Sequence, residues 1–296
     1  MTAGALLLAW AAGLFAFGAL VITAFGARNP AQSRELWRVY ASTAGIAAAF
    51  LVPAAVHPVL FSAVAAAAAW RCAFELATTY GARVDAARHC ALAAGAAGAA
   101  AWGAGGGAVF LTAGALILVL SAPLYAQAVA RPPAGARAWI ACAVFPALAA
   151  AHLSHLAHAR DGFVWLAVLY ATVETHDSMA YLFGRLFGRR RILPRLSPGK
   201  TFEGALAGVC CGMVVGGLMA WGLLDLPVAT ALSVAGLVVA AGFSGDLFTS
   251  ALKRAARAKD FPPVHGLHGG LLDIYDSTLF AAVPLSFALP ALQAAR

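Results

Sequence analysis

Long apolar runs recur along this chain, separated by short clusters of charge. A helix needs about 20 apolar residues to cross the hydrocarbon core of a bilayer. Runs of that kind lie at about 4–26, 41–57, 58–77, 90–104, 108–129, 138–157, 163–184, 203–223, 228–248 and 277–294. They predict an all-α, polytopic integral membrane protein with about ten (nine to ten) transmembrane helices. Only His57-Pro58 separates the second and third runs, and the fourth is rich in Ala and Gly. The first run lacks a preceding positive segment and exceeds the usual signal-peptide core, so it is expected to remain as a membrane helix. Soluble domains carry about a quarter of their residues as Asp, Glu, Lys and Arg. Here the charged share is 11% and the apolar share 62%, with a mean hydropathy of +0.82. Those figures exclude a soluble globular enzyme, a disordered tail and a fibrous repeat.

The charge that remains is unbalanced, 20 Lys+Arg against 12 Asp+Glu for a net of +8. In a soluble protein this would raise a nucleic-acid footprint. In a membrane protein the enrichment of cations in cytoplasmic loops accounts for it, and no nucleic-acid partner is expected. With the N-terminus outside and ten spans, seventeen of the 20 cations fall on the inner side; Arg160 and Arg296 fall outside and Arg71 lies within a span. That orientation predicts a multi-pass protein with its active site facing the cytoplasm, and the cell inner (plasma) membrane is the expected location. Cys72, Cys90, Cys142, Cys210 and Cys211 sit in or beside apolar stretches without CxxC spacing, which suits small packing residues. Residues 1–160 form an apolar N-terminal region. Residues 161–296 hold ten cations in two loops and most acids near span ends, so the chemistry is expected there.

Three segments carry candidate chemistry. Asp177 opens Asp177-Ser178-Met179-Ala180-Tyr181 near the end of the seventh run, and an ionisable residue inside an apolar span is a functional candidate by default. Ser197-Pro198-Gly199-Lys200-Thr201 resembles a phosphate-binding turn at a helix N-terminus, where free N–H groups and the helix dipole favour an anion. The densest segment holds Asp246, Ser250, Lys253, Arg254, Lys259 and Asp260, then His268, Gly269, Gly270, Asp273, Asp276 and Ser277. Asp246, Ser250 and Lys253 share a helix face by their i, i+4 and i, i+7 spacing. Carboxylates one turn apart, as Asp273 and Asp276 are, suit a hard cation that leaves room for substrate phosphates. Gly269-Gly270 permits close backbone approach.

Together these segments resemble the phosphatidate cytidylyltransferase (CDP-diacylglycerol synthase) family. That family pairs S-x-x-K-R-x4-K-D with H-G-G-x-x-D-R-x-D. The first part matches at Ser250, Lys253, Arg254, Lys259 and Asp260, and the second at His268, Gly269, Gly270, Asp273, Asp276 and the following Ser277. Upstream, Asp177, Ala180 and Tyr181 match D-x-x-A-Y, and Ser197, Pro198, Lys200, Thr201, Glu203 and Gly204 match S-P-x-K-T-x-E-G. The resemblance covers about residues 163–294. Ile274 stands where the family has Arg, Tyr275 replaces the usual aliphatic, and Pro262, His265 and Gly266-Leu267 also depart from the pattern.

The resemblance implies transfer of the cytidylyl group of CTP to phosphatidate or a related phospholipid, with Mg²⁺ or another hard divalent cation, in a homodimer. It implies Asp246, Asp273, Lys253 and Lys259 as catalytic residues and Asp246, Asp273 and Asp276 as metal ligands. Ser197, Lys200, Thr201, Ser250, Arg254, His268, Gly269, Gly270 and Asp177 would bind substrate. A CTP-dependent polyprenol kinase and a catalytically decayed lipid-binding paralogue are the alternatives. Three smaller features stand apart. His152, His155 and His158 are expected at the membrane interface, Glu75 is expected to pair with Arg71 one turn earlier, and Glu174 and His176 flank Asp177.

Overall fold

The computed structural model describes residues 30–80, 136–194, 196–263 and 269–294, with isolated positions 7, 19, 23 and 296. The break expected at His57-Pro58 divides α1 (Pro30–Val56) from α2 (Pro58–Thr79). His57 is extended and its Nδ1 accepts the Val59 N–H at 3.2 Å. Pro58 follows at the first helical position, where a missing N–H costs nothing. Next come α3 (Ala136–His158) and α4 (Gly162–Phe187). A short hairpin follows, made of β1 (Arg191–Leu193) and β2 (Ser197–Thr201). The chain then forms α5 (Phe202–Leu224), α6 (Val228–Ala255) and α7 (Leu271–Ala294).

Seven of the predicted runs coincide with these helices; those at 90–104 and 108–129 lie outside the described residues, as does the run at 4–26 apart from positions 7, 19 and 23. Among the described residues, α2, α5, α6 and α7 are long and apolar enough to cross a membrane. The molecule is therefore an integral membrane protein built mainly of helices, while the expected total of ten is not reached within the described residues. Two differences from the sequence reading bear on the site. α6 continues to Ala255 and α7 begins at Leu271, beyond the apolar runs that end at about 248 and start at about 277. Hydropathy falls where the polar motif residues begin, yet the backbone there is still helical.

The second difference is a hairpin, a local departure within an otherwise helical chain. β1 and β2 pair antiparallel with Arg191 opposite Thr201 and Leu193 opposite Ser197. Gly188, Pro194, Pro198 and Gly199 interrupt helix formation here, and strand pairing satisfies backbone groups that a loop would leave open. The presumed phosphate-binding turn is thus a strand, and only its last residue belongs to a helix start. The Thr201 hydroxyl accepts the Gly204 N–H at 3.2 Å and caps α5.

Within lipid, helix association rests on close packing of small residues and interhelical hydrogen bonds. α4 and α5 form the most extensive helix pair. Along α5, Gly204, Gly208, Gly212 and Gly216 face α4: a Cβ at Gly208 would lie 2.6 Å from the His176 carbonyl oxygen and 2.9 Å from the Ala180 Cβ. Only glycine lets the two backbones approach so closely. Phe50 of α1 stacks on Tyr170 of α4 at 4.9 Å and on Tyr275 of α7 at 6.0 Å, joining three helices through aromatic contact. His152, expected at the interface, is instead fully buried against Phe287 of α7 at 5.5 Å.

Candidate active site

The chain direction brings the C-terminal ends of α2, α4 and α6 and the N-terminal ends of α5 and α7 to one end of the bundle, where the hairpin also lies. Every sequence-predicted site residue within the described part is found there. At 1.5 Å per residue, Asp177 and Asp246 lie about 14–15 Å inside the ends of α4 and α6.

The α4–α5 seam positions the first group. Asp177 Oδ1 bonds His176 Nδ1 at 2.9 Å, and Asp177 remains half-exposed while His176 is buried. Glu203, in the first turn of α5, accepts the Arg189 and Arg190 N–H groups at 2.9 and 3.2 Å. That carboxylate closes the hairpin onto the helix and aims β2 inward. Lys200 then forms an ion pair with Asp246 of α6, and its ammonium stands 4.6 Å from the Phe243 ring centroid. Ser197 is half-buried and Pro198 and Gly199 are exposed.

α6 presents the second group. The Ser250 hydroxyl donates to Asp246 Oδ1 at 3.3 Å, realising the i, i+4 face read from the spacing. Thr249, one position earlier, donates its hydroxyl to Asp276 Oδ2 on α7. Asp276 is buried; its Oδ1 accepts the Ser277 N–H at 2.6 Å. The carboxylates of Asp246 and Asp177 act on it electrostatically.

Asp273 organises the third group. Its Oδ1 meets Lys253 Nζ at 2.6 Å, and its Oδ2 accepts the Phe261 and Gly270 N–H groups, both at 3.0 Å. Gly270 immediately precedes α7, so Asp273 reaches back to the residue before its own helix in the manner of a capping box. Gly269 has φ +104, a conformation that favours glycine. Lys253 also lies 5.4 Å from the Phe261 ring centroid. Arg254, expected to hold phosphate, donates to the Leu196 carbonyl at 3.3 Å and the Ala258 carbonyl at 3.1 Å, tying the hairpin to the turn after α6. Lys259 is exposed, and His268 lies outside the described residues.

The three carboxylates expected to form a metal set, Asp246, Asp273 and Asp276, are thus engaged with separate partners. Among the described residues no three His, Cys, Asp or Glu side chains converge to hold an ion. The donors present are nonetheless carboxylate and hydroxyl oxygens, the chemistry hard cations take. Mg²⁺ usually uses one or two protein carboxylates and completes its shell with water and substrate phosphates, so the donor set fits. Sequence reasoning missed Thr249, which sits on α6 at i+3 from Asp246, and the rings of Phe243 and Phe261 beneath the two lysines. It anticipated the Arg71–Glu75 pair, found at 2.8 Å, without its link to α7.

Curated relatives match over part of their length. The chain is 38% identical over 123 residues to an uncharacterized protein, YnbB, of Escherichia coli K12, covering 42% of this chain and 41% of that protein. It is 35% identical over 135 residues to a phosphatidate cytidylyltransferase of Chlamydia trachomatis, covering 43% of each. Against a phosphatidate cytidylyltransferase of Haemophilus influenzae it is 34% identical over 187 residues, 57% of this chain and 62% of the relative. In each case less than two thirds of the relative is spanned. The cytidylyltransferase family model, by contrast, matches residues 36–292, from within α1 almost to the end of α7. On that match, the chain belongs to the cytidylyltransferase family.

Proposed function

We propose that this protein transfers the cytidylyl group of CTP to phosphatidate, giving CDP-diacylglycerol and pyrophosphate. The observation that carries the reading is the pair of lysine–carboxylate contacts, Lys200–Asp246 and Lys253–Asp273, assembled from segments far apart in the chain at one end of a membrane bundle. The named relatives, phosphatidate cytidylyltransferases of Chlamydia trachomatis and Haemophilus influenzae, support the choice of substrates.

The reaction needs no side-chain nucleophile. A phosphatidate oxygen attacks the α-phosphorus of CTP, the bond from that phosphorus to the bridging oxygen breaks, and pyrophosphate leaves. The protein's contribution is alignment and neutralisation of charge that builds on the phosphates. Lys200 and Lys253 are held over aromatic rings and paired with carboxylates, so both ammonium groups are oriented until an anion competes for them. Asp246 and Ser250, with Asp276 held behind them by Thr249, would hold a hard divalent cation, which supplies Lewis-acid stabilisation of phosphate oxygens when bound. Lys259 and the exposed Arg189–Arg191 would attract CTP and an anionic lipid to this end. Location in the inner membrane with this end toward the cytoplasm belongs to the same proposal. It is supported by the gathering of cations here, against Arg160 and Arg296 at the opposite end.

Purified protein in detergent micelles is tested with labelled CTP, phosphatidate and Mg²⁺. The expected products are CDP-diacylglycerol and pyrophosphate, with loss of turnover in Asp246→Asn. Release of CDP with a phosphorylated lipid, or wild-type turnover in Asp246→Asn, would overturn the assignment.

A further inference from the structure

Glu75 belongs to α2, in the apolar half of the chain, yet it reaches the motif at the start of α7. Its side chain is fully buried. Oε1 accepts the Arg71 Nε–H at 2.8 Å and the Leu271 N–H at 2.9 Å, and Oε2 accepts the Leu272 N–H at 2.9 Å. Leu271 and Leu272 are the first two residues of α7, whose N–H groups have no partner within the helix. A carboxylate there also interacts favourably with the helix dipole. Arg71 adds a second tie: its Nη2 donates to the carbonyls of Pro262 and Pro263, both at 3.3 Å. One ion pair therefore ties both the middle of the connection between α6 and α7 and the start of α7 to α2.

Gly270 explains itself in the same geometry. A Cβ there would collide with Glu75 Oε2 and lie 2.7 Å from the Phe261 Cβ. The glycine preceding α7 leaves room for a carboxylate from another helix.

We propose that Glu75, oriented by Arg71, is a positioning residue for the reaction: it caps α7 from outside and sets where Asp273 and Asp276 stand against Lys253 and Thr249. This rests on the cytidylyltransferase reading for its catalytic consequence, but the capping itself does not. Glu75 reaches neither Lys200 nor Asp246, so nucleotide contacts through β2 and α6 stay in place when it is altered. Displacing a catalytic group by about 1 Å costs on the order of 100-fold in rate.

The test compares wild type, Glu75→Gln, Arg71→Lys and Leu156→Ala, the last truncating a fully buried core residue of α3. Two measurements are made on folded protein in micelles: steady-state kinetics with CTP and phosphatidate, and amide hydrogen exchange at Leu271 and Leu272. Glu75→Gln keeps the shape but presents an NH₂ group to one of its donors. The expected result is a fall in kcat of at least about 10-fold, KM for CTP within about threefold, and loss of protection at one or both of those amides. Arg71→Lys, which keeps the charge but loses the fork to the carbonyls, falls between. Leu156→Ala lowers Tm without changing kcat or protection at α7. Wild-type kcat or unchanged exchange in Glu75→Gln would overturn the inference, as would an equal kcat loss in Leu156→Ala. If the wild type makes no CDP-diacylglycerol, the functional reading fails instead, and the exchange measurement still decides the capping role.

Discussion

Replacing Asp273 by Asn probes the most heavily used carboxylate of the site. One of its oxygens serves Lys253 and the other serves the Phe261 and Gly270 N–H groups. An Asn amide has the same shape but only one acceptor, and its NH₂ donates. If the amide oxygen stays with the two N–H groups, the NH₂ points at the Lys253 ammonium. That lysine, with a side chain only 13% exposed, then loses its counter-charge, and removing one partner of a buried pair costs about 3–5 kcal/mol. If the amide turns round, two backbone donors are left facing a donor, at about 1–3 kcal/mol each. Either arrangement costs a minimum of about 2 kcal/mol. Thermal unfolding in micelles should show a lower Tm, and turnover should fall with it. A cycle through Lys253→Met, Asp273→Leu and the double variant should give a coupling of about 1–3 kcal/mol, because the double removes both charges. Additive effects, or an Asp273→Asn protein with wild-type Tm, would refute the account of this carboxylate as the organiser of the turn.

Two further outcomes follow from the same contacts. Gly208→Val forces side-chain atoms into the His176 carbonyl across the α4–α5 seam; destabilisation of about 1–3 kcal/mol, read as a lower Tm, should accompany displacement of Lys200 and reduced turnover, whereas an exposed substitution such as Cys210→Val should change neither. Thr249→Val removes the hydroxyl that serves buried Asp276 and should cost about 1–3 kcal/mol for an unsatisfied buried group, while Thr249→Ser should retain stability and activity.

Much of this arrangement was legible in the sequence because it is local. His57-Pro58 marks a cap followed by a proline-tolerant position, and it divides two helices as expected. The i, i+4 step from Asp246 to Ser250 predicts a shared face, and the two side chains bond. What the spacing could not convey is which partner each charge takes across helices. Lys253 shares a face with Asp246 but pairs with Asp273, and Asp246 takes Lys200 from β2. Those choices are set by how closely α4 packs on α5 and α6 on α7, and hence by glycines such as Gly208 and Gly245 whose role is invisible until their neighbours are known. Glu75 looked complete with Arg71 one turn away. Its carboxylate oxygens also accept two N–H groups nearly 200 residues further along, a relation no local pattern encodes.

The replacement of the family's usual Arg by Ile274 takes on a definite meaning in this frame. Position 274 follows Asp273 directly on α7, so its side chain is turned about 100° around the helix, off the face that Asp273 and Asp276 share. Here the adjacent Tyr275 donates its hydroxyl to the Ile46 carbonyl at 2.9 Å and stacks on Phe50, so this turn of α7 is anchored to α1 through an aromatic. The cation nearest the metal-competent carboxylate is Lys200, delivered by the hairpin rather than by α7. Lys200 and Lys253 are each already paired with an aspartate, so a triphosphate arriving between them meets no free lysine charge. An incoming anion of that charge gains little from lysines already neutralised by aspartates unless a divalent cation takes their place on Asp246. On the proposed function, a divalent cation held by Asp246 would displace Lys200 from that carboxylate and leave its ammonium for a phosphate, so the affinities for nucleotide and for cation should rise together.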